Sequence, residues 1–277
     1  MIPIIYAGNY GIFDGILISA LSVIESSSEP VSLYLFTMDL TEQNEKFLPL
    51  TREQADYIDK LCKEKNPESS ATLVDVGELY KASLLNSPNA VTSYTPYTFL
   101  RLFADKIDCL PSKVIYLDAD TIVAKDIKDL YDIELGENEF AGCLDYYGKW
   151  FLGARYINAG VLLLNLDRIR ETGLFEKSIA LLNEKKVFLP DQTALNRLAK
   201  GKLIIDTRFN EQKHFKDETV IQHFAKTIIW FPYFHTRNIK PWHTDKVPDL
   251  THKYDNIIAL FKEKKKAYKD FKEVASE

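Results

Sequence analysis

Cysteine is scarce in this chain, and its placement excludes two ways of stabilising a small domain. The three cysteines, Cys62, Cys109 and Cys143, are odd in number and lie far apart in the sequence. They cannot form a complete disulfide framework, and none of them has the paired Cys/His spacing of a structural zinc site. The pattern favours a protein of the reducing cytoplasm that depends on an ordinary hydrophobic core.

Long apolar runs and an excess of positive charge are also missing. No stretch is long and apolar enough to span a bilayer, and Met1 leads into the first apolar segment without a basic signal-peptide region. With 35 Lys and Arg against 40 Asp and Glu, the formal net charge is -5, which argues against a general nucleic-acid-binding protein. We expect a cytoplasmic protein in which any anionic ligand meets locally placed positive charge.

What the sequence does contain is an alternation of short apolar segments with amphipathic ones. Strand-like segments cover residues 3–6, 31–36, 71–76, 114–117, 140–145, 157–166, 202–206 and 219–224. Helical patterns cover residues 13–24, 41–65, 96–105 and 190–198. The alternation favours an α/β fold with a parallel sheet, and 46% hydrophobic residues in 277 can fill one core. We predict one domain over residues 1–250 and a helical tail over residues 251–277.

The most informative stretch is an apolar run that ends in two aspartates. Residues 114–117 lead straight into Asp118, Ala119 and Asp120. If the run is a strand, Asp118 and Asp120 project to one side, at the carboxyl edge of the sheet where open α/β folds bind ligands. Two converging carboxylates need compensation, and a divalent metal is the simplest form of it. The alternative is a plain strand end in which Asp120 or Thr121 caps a short helix.

Five segments in this order and spacing resemble those of the family 8 glycosyltransferases. They are Thr98-Phe99-Leu100-Arg101-Leu102, Tyr116-Leu117-Asp118-Ala119-Asp120, Asn158-Ala159-Gly160-Val161, Leu189-Pro190-Asp191-Gln192 through Asn196, and Lys240-Pro241-Trp242. The resemblance implies a nucleotide-sugar transferase fold of the GT-A type, with a mixed, mostly parallel central sheet flanked by helices. It further implies a retaining enzyme that transfers a hexose from a UDP-sugar to a glycan or another hydroxyl acceptor.

The resemblance also implies a metal site. Asp118 and Asp120 would hold a divalent ion that neutralises the departing diphosphate. A histidine ligand would favour Mn²⁺, with Mg²⁺ as the alternative. His223 is the first candidate because it ends a strand-like run, but the family's Lys-Pro-Trp normally follows its histidine closely. Here Lys240 comes much later, so either residues 225–238 contain an insertion or His235 is the ligand.

Further residues are assigned to the sugar nucleotide by the same resemblance. The donor-binding set is Ala7, Asn9, Arg101, Ala119, Asn158, Ala159, Gly160 and Lys240. Asn9 stands where the family usually has an aspartate that reads uracil, which leaves the base specificity open. Without the resemblance, Arg101 would be interpreted as a salt-bridge partner of Asp105, one helical turn on. Trp242 would anchor the loop that carries Lys240.

The segment beginning at residue 190 carries the position closest to the chemistry. By resemblance, Gln192 lies beside the anomeric carbon and stabilises developing positive charge through its carbonyl oxygen. Asp191 is a candidate for direct sugar contact, and helix N-cap is its alternative role. Asp145, which ends a predicted strand, would line the sugar or acceptor side. Glutamine is a poor nucleophile, so retention is expected to proceed by front-face attack.

Two other functions remain open on the sequence alone. A phosphatase of the haloacid-dehalogenase type would use Asp118 as nucleophile and Asp120 as its acid/base partner. A non-catalytic sugar-nucleotide or glycan binder would keep the fold without turnover, and Asn9 and the wide histidine-to-lysine spacing leave room for it. The donor hexose stays open between glucose and galactose.

Two segments could contact a membrane or another partner. The lysine-rich tail is expected to pack on the domain, with weak binding at the inner face of the membrane as its alternative, since acidic residues are interleaved with the lysines. The aromatic segment at residues 230–234 could stack on a sugar, face a membrane or join a buried core. A bacterial cell-surface glycan is the expected destination of the transferred sugar.

Overall fold

A computed structural model describes residues 1–90, 95–229 and 235–275, with the backbone alone for residues 274 and 275. The strands are β1 Ile2–Ala7, β2 Val31–Thr37, β3 Ser70–Asp75, β4 Lys113–Leu117, β5 Thr121–Val123, β6 Phe140–Leu144, β7 Ile157–Asn165, β8 Lys202–Ile204, β9 Ile221–His223, β10 Thr227–Ile229 and β11 His235–Arg237. The α-helices are α1 Phe13–Ser26, α2 Arg52–Lys65, α3 Gly77–Leu84, α4 Lys128–Tyr131, α5 Gly148–Phe151, α6 Leu166–Thr172, α7 Leu174–Glu184, α8 Pro190–Leu198 and α9 Asp255–Ala275. Tyr10–Ile12, Pro96–Lys106 and Thr207–Phe209 are 3₁₀ helices.

The central sheet is mixed but mostly parallel, as predicted. Its seven strands follow the order β3-β2-β1-β4-β7-β6-β8. β7 pairs antiparallel with both β4 and β6, whereas β1 pairs in parallel with β2 and β4. The carboxyl ends of β1 and β4 therefore meet the amino end of β7 at one edge. That edge collects Asn9, Asp118 and Asn158, which are remote in sequence.

Strand side chains alternate between two hydrophobic layers, one on each face of the sheet. Ile4 and Ile115 pack on the face covered by α1, α2 and α9. Ile5 and Tyr116 pack on the opposite face, against the 3₁₀ helix Pro96–Lys106 and helices α6 to α8. Because both faces are covered, the strands are continuous apolar runs, as expected for parallel strands.

The helix predicted over residues 41–65 is wrong in its first half. α2 begins only at Arg52, where Thr51 and Gln54 form a reciprocal capping box: the Gln54 amide donates to Thr51 Oγ1 at 3.2 Å and the Thr51 amide donates to Gln54 Oε1 at 3.0 Å. The preceding segment crosses back to the end of β1, where Asn9 and Pro49 form an isolated bridge. The charges of residues 41–51 reflect an exposed loop rather than a helical face.

The C-terminal helix α9 packs on α1 and α2. Phe261 is buried, the Tyr57 hydroxyl donates to the Lys264 carbonyl oxygen at 2.6 Å, and the rings of Tyr268 and Phe13 are 4.8 Å apart. The apolar face of α9 is thus buried against α1 and α2. In the described part of the chain, no helix combines the length and the apolar character needed to cross a bilayer. The aromatic segment 230–234 lies outside the described residues.

Candidate active site

The two aspartates that follow β4 are fixed by the strand beside them and by a buried chain of hydroxyls. The Asp118 amide donates to the Gly160 carbonyl oxygen at 2.8 Å, which extends the β4–β7 pairing by one residue. Thr121 Oγ1 donates to the Asp118 carbonyl oxygen and contacts Ser19 Oγ, both at 2.9 Å. The backbone of the Asp-X-Asp turn is therefore anchored to helix α1, and the carboxylates are left to face the ligand edge.

His223 is brought to these carboxylates by the pairing of β5 with β9, in which it lies opposite Thr121. Its Nε2 is 3.2 Å from Asp120 Oδ1 and 4.0 Å from Asp118 Oδ2. Among the residues that the structure describes, the group able to hold a metal ion consists of Asp118, Asp120 and His223, with ligand atoms within 4.8 Å of one another. The structure thus brings His223 to the pair, whereas His235 lies on β11 opposite Ile229.

A glycine makes room for this cluster. A Cβ at Gly160 would lie 2.2 Å from His223 Cε1 and 2.9 Å from Asp118 Oδ2. No side chain larger than hydrogen fits there, so the backbone of β7 at Gly160 leaves the space in which His223 and Asp118 approach each other. Two carboxylates and one imidazole match the ligand preferences of Mn²⁺, whereas Mg²⁺, the alternative ion, prefers oxygen ligands alone.

Lys240 reaches the same cluster from a distant loop. Its Nζ lies 2.5 Å from Asp120 Oδ2 and 2.9 Å from the Phe224 carbonyl oxygen. Burial would raise the pKa of Asp120, but His223 and Lys240 outweigh it and hold that pKa well below its ordinary value. The loop is anchored by Trp242, whose ring would lie 2.6 Å from a Cβ at Gly15. The anchoring role predicted for Trp242 has a direct counterpart in this contact with α1.

Arg101 is buried behind the aspartates. Its Nη2 donates to Asp118 Oδ1 at 3.0 Å, its Nε lies 3.3 Å from Asp191 Oδ2, and its Nη1 donates to the Ala159 carbonyl oxygen. Burial would lower the pKa of Arg101, but Tyr116 and the two carboxylates outweigh it and raise that pKa. The alternative pairing with Asp105 is wrong, because the 3₁₀ geometry directs the guanidinium towards β4 and α8.

Asp145 joins the sugar-side residues. Its Oδ2 accepts from Asn158 Nδ2 at 2.8 Å and from Gln192 Nε2 at 3.2 Å. Gln192 Oε1 in turn accepts from the Ala159 amide at 2.9 Å. The structure thus gathers the predicted residues Asp145, Asn158 and Gln192 into one hydrogen-bonded group. One lone pair of the Gln192 carbonyl oxygen is thus used by the backbone of β7.

Asp191 is not a helix N-cap. The N-cap of α8 is Leu189, which has no capping side chain and adopts a left-handed backbone with φ 48°. Pro190 follows, so Asp191 falls in the first helical turn and faces Arg101. Left-handed backbone at a leucine costs about 1–3 kcal/mol and is typical of functional sites. The strained turn directs Asp191 and Gln192 into the site together.

Ala7 and Asn9 lie at the end of β1, at the same edge of the sheet. Asn9 Nδ2 donates to the Lys46 carbonyl oxygen at 3.3 Å, so the amide is held by the loop before α2. Unlike the residues above, these two do not belong to the hydrogen-bonded group around Asp118 and Asp145.

Sequence reasoning missed two sets of residues near the site. Asn210 is 1% exposed and contacts both His223 and Asn158, yet no motif marks it. On the outer side, Trp150 and Phe151 on α5 are 77% and 80% exposed, and Phe188, just before α8, is 71% exposed. Their closeness in sequence to Asp145 and Asp191 is the signal that could have indicated them.

Comparisons with known proteins find both related sequences and a related structure. A sequence model described as glycosyl transferase family 8 matches residues 2–246. The chain is 30% identical over 221 residues to the glycosyltransferase GlyA of Streptococcus pneumoniae, covering 77% of this chain and 29% of that protein. It is 27% identical over 214 residues to the lipopolysaccharide 1,3-galactosyltransferase of Salmonella typhimurium, covering 69% of this chain and 61% of that protein. The chain therefore spans less than two thirds of the length of either relative.

A solved structure shows the same fold. The galactosyltransferase LgtC, crystallised in complex with donor and acceptor sugar analogues, superposes with a TM-score of 0.69 at 18% identity. The superposition covers 93% of this chain and 95% of that one. This likeness confirms the predicted GT-A-like fold.

Proposed function

Because the chain belongs to glycosyl transferase family 8, we propose that it is a metal-dependent, retaining hexosyltransferase that uses a UDP-sugar as donor. The observation that carries the proposal is the convergence of Asp118, Asp120 and His223 within 4.8 Å, with the Lys240 ammonium on Asp120. Family membership also removes the phosphatase alternative.

The charges of the site suit a cation and then a diphosphate. Asp118, Asp120, Asp145 and Asp191 bring four negative charges, whereas Arg101 and Lys240 bring two positive ones. A divalent ion held by Asp118, Asp120 and His223 would cancel this excess of negative charge, and it would supply Lewis-acid stabilisation of the leaving diphosphate. Lys240 would exchange part of its contact with Asp120 for a phosphate oxygen.

The sugar would lie over the group formed by Asn158, Ala159, Gly160, Asp145 and Gln192. Asn158 and Asp145 offer polar atoms to sugar hydroxyls, and the small residues of β7 allow close approach. The carbonyl oxygen of Gln192 would face the anomeric carbon as positive charge develops there. The acceptor oxygen attacks from the same face, and its proton passes to the phosphate oxygen that leaves, so the configuration is retained.

The acceptor is proposed to be a bacterial cell-surface glycan, assembled at the cytoplasmic side of the membrane. The relative that acts in lipopolysaccharide synthesis supports this choice. The exposed rings of Trp150, Phe151 and Phe188 would provide apolar surface on the acceptor side.

A thermal-shift panel of nucleotide diphosphates and diphospho-sugars, with Mn²⁺, with Mg²⁺ and with chelator, tests the proposal. A ligand that binds only the folded protein raises its melting temperature, so we expect stabilisation by a UDP-sugar that requires the metal. Asp118→Asn should abolish metal-dependent turnover with the fold intact, whereas Asp132→Asn, at an exposed position on the surface, should not. Metal-dependent turnover in Asp118→Asn would refute the metal assignment.

Two other results would redirect the proposal. Binding of a sugar nucleotide without hydrolysis or transfer at high protein concentration would indicate a non-catalytic binder. A shift with Mg²⁺ and a phosphate mimic, and none with any nucleotide, would contradict the transferase function itself.

A further inference from the structure

We propose that Asn210 is a positioning residue that holds the His223 ring through its Nδ1–H group and couples the metal ligands to the sugar side. Asn210 is 1% exposed and follows the 3₁₀ helix Thr207–Phe209. Its Oδ1 lies 3.0 Å from His223 Nδ1, and its Nδ2 donates to Asn158 Oδ1 at 3.0 Å. The predicted effect on turnover rests on the proposed function, whereas the effect on the ring does not.

The backbone holds Asn210 beside His223. The segment around it runs parallel to β9, with a bridge between Glu211 and Gln222. The Glu211 amide donates to the Ile221 carbonyl oxygen and the His223 amide donates to the Glu211 carbonyl oxygen, both at 2.9 Å. The contact between the two side chains therefore follows from strand-like pairing and does not depend on a mobile side chain.

The orientation of the side-chain amides of Asn158 and Asn210 follows from neighbouring groups that can only donate or only accept a hydrogen bond. The Gly160 amide can only donate, and it does so to Asn158 Oδ1 at 2.9 Å. Asp145 accepts from the backbone amides of Tyr147 at 3.1 Å and Gly148 at 2.6 Å, so its carboxylate is an acceptor for Asn158 Nδ2 as well. The oxygen and nitrogen of Asn158 are thus assigned from both sides.

The orientation of Asn158 then determines the orientation of Asn210, and through it the contact with His223. Because Asn158 presents its oxygen, Asn210 must present its NH₂ group to it and turn its own oxygen to His223 Nδ1. An oxygen there accepts a hydrogen bond, so Nδ1 carries a proton and Nε2 is the ring nitrogen that faces Asp118 and Asp120. A divalent ion bound there would take the lone pair of Nε2 in place of a proton. A metal ligand needs that lone pair, and partners of the other ring nitrogen typically change metal affinity by about 10–100-fold.

The same amide connects the two halves of the site. Asn158 also binds Asp145, and Asp145 binds Gln192, so a path of hydrogen bonds leads from the metal ligands to the residue proposed beside the anomeric carbon. Asn210 is the link that can be altered without removing a group that touches the metal or the sugar.

Two substitutions separate these roles. Asn210→Leu removes both bonds, and Mn²⁺ affinity measured by titration calorimetry on the nucleotide-free protein should fall about 10–100-fold. Asn210→Asp keeps an acceptor for Nδ1–H but cannot donate to Asn158, so Mn²⁺ affinity should stay within a few-fold while kcat falls. Gln222→Leu is the matched control, because that buried amide on β9 contacts the Glu211 carbonyl oxygen and leaves the metal ligands untouched.

The ring itself gives a readout independent of activity. In a ¹H–¹⁵N spectrum of histidine-labelled protein, the Nδ1–H group of His223 should appear as a hydrogen-bonded, slowly exchanging proton both without metal and with diamagnetic Mg²⁺. Asn210→Leu should make this proton exchange rapidly with water, because it removes the acceptor. The inference is overturned if Asn210→Leu, with a melting temperature near that of Gln222→Leu, binds Mn²⁺ as the wild type does. It is also overturned if Nδ1 of the wild type is unprotonated. Failure of the wild type to transfer a sugar, with Nδ1 protonated, would count against the proposed function and not against this role of Asn210.

Discussion

Substitution of Gly160 by alanine should dismantle the metal site while leaving the sheet in place. The added Cβ would lie 2.2 Å from His223 Cε1 and 2.7 Å from Nδ1. Carbon atoms in favourable contact are about 3.5–4.0 Å apart, so the ring must retreat by about 1.3 Å or more. A displacement of about 1 Å in a catalytic arrangement can cost about 100-fold in rate. We expect a loss of at least that size in metal-dependent transfer, together with weakened Mn²⁺ binding.

The stability cost of this substitution must be separated from its effect on the site. Overpacking a core typically costs about 1–3 kcal/mol, which should appear as a lowered melting temperature. Gly142→Ala, on the neighbouring strand β6, is a matched control: its Cβ would lie 2.6 Å from Ile157 Cγ2 and would meet no metal ligand. It should lose comparable stability and keep its Mn²⁺ affinity. Wild-type Mn²⁺ affinity and turnover in Gly160→Ala would refute the reasoning, and equal losses in both variants would attribute the effect to general destabilisation.

Three further outcomes are expected. Lys240→Gln should lower kcat/KM for the donor about 10–100-fold, because hydrogen bonds to charged groups contribute about 1.5–3 kcal/mol; an unchanged value would remove Lys240 from the diphosphate site. The double variant Trp150→Ser, Phe151→Ser should raise the KM for the acceptor. Its melting temperature and donor binding should not change, because both rings are largely exposed. An unchanged KM for the acceptor would show that the acceptor binds elsewhere. In the native protein a thiol reagent should modify Cys109 alone, since the other two cysteines are buried and burial raises the pKa of Cys62 to about 12. All three thiols should react after unfolding, and rapid reaction of more than one thiol in the native protein would contradict this burial.

The sequence predicted those parts of the site that depend on local pattern and strand order. A buried apolar strand that ends in Asp118 places the carboxylate at the carboxyl edge of the sheet, wherever the other strands lie. Likewise, Pro190 after a turn predicts the start of α8, and its predicted span coincides with the observed one. Both conclusions use rules of short range, which a single sequence contains.

What the sequence could not give were contacts between remote segments. The helical amphipathicity around Arg101 suggested Asp105, four residues on, but the actual partners Asp118 and Asp191 are 17 and 90 residues away. Asn210 carries no motif at all, because its importance depends on the pairing of its segment with β9. A loop and a helix face can share the same charge pattern, which is why the charges of residues 41–51 predict a helix that the structure does not contain.

The geometry adds a structural role to the donor contact that the resemblance implies for Arg101. Each of its guanidinium nitrogens already faces a protein acceptor: Thr98 and Asp191 at Nε, Ala159 at Nη1 and Asp118 at Nη2. Its plane also lies over the Tyr116 ring, 4.0 Å from the centroid. Removing a buried cation from carboxylates leaves uncompensated charge, which costs far more than an exposed pair is worth. Arg101 therefore joins three segments of the site, and its contacts hold Asp118, Ala159 and Asp191 in place relative to one another.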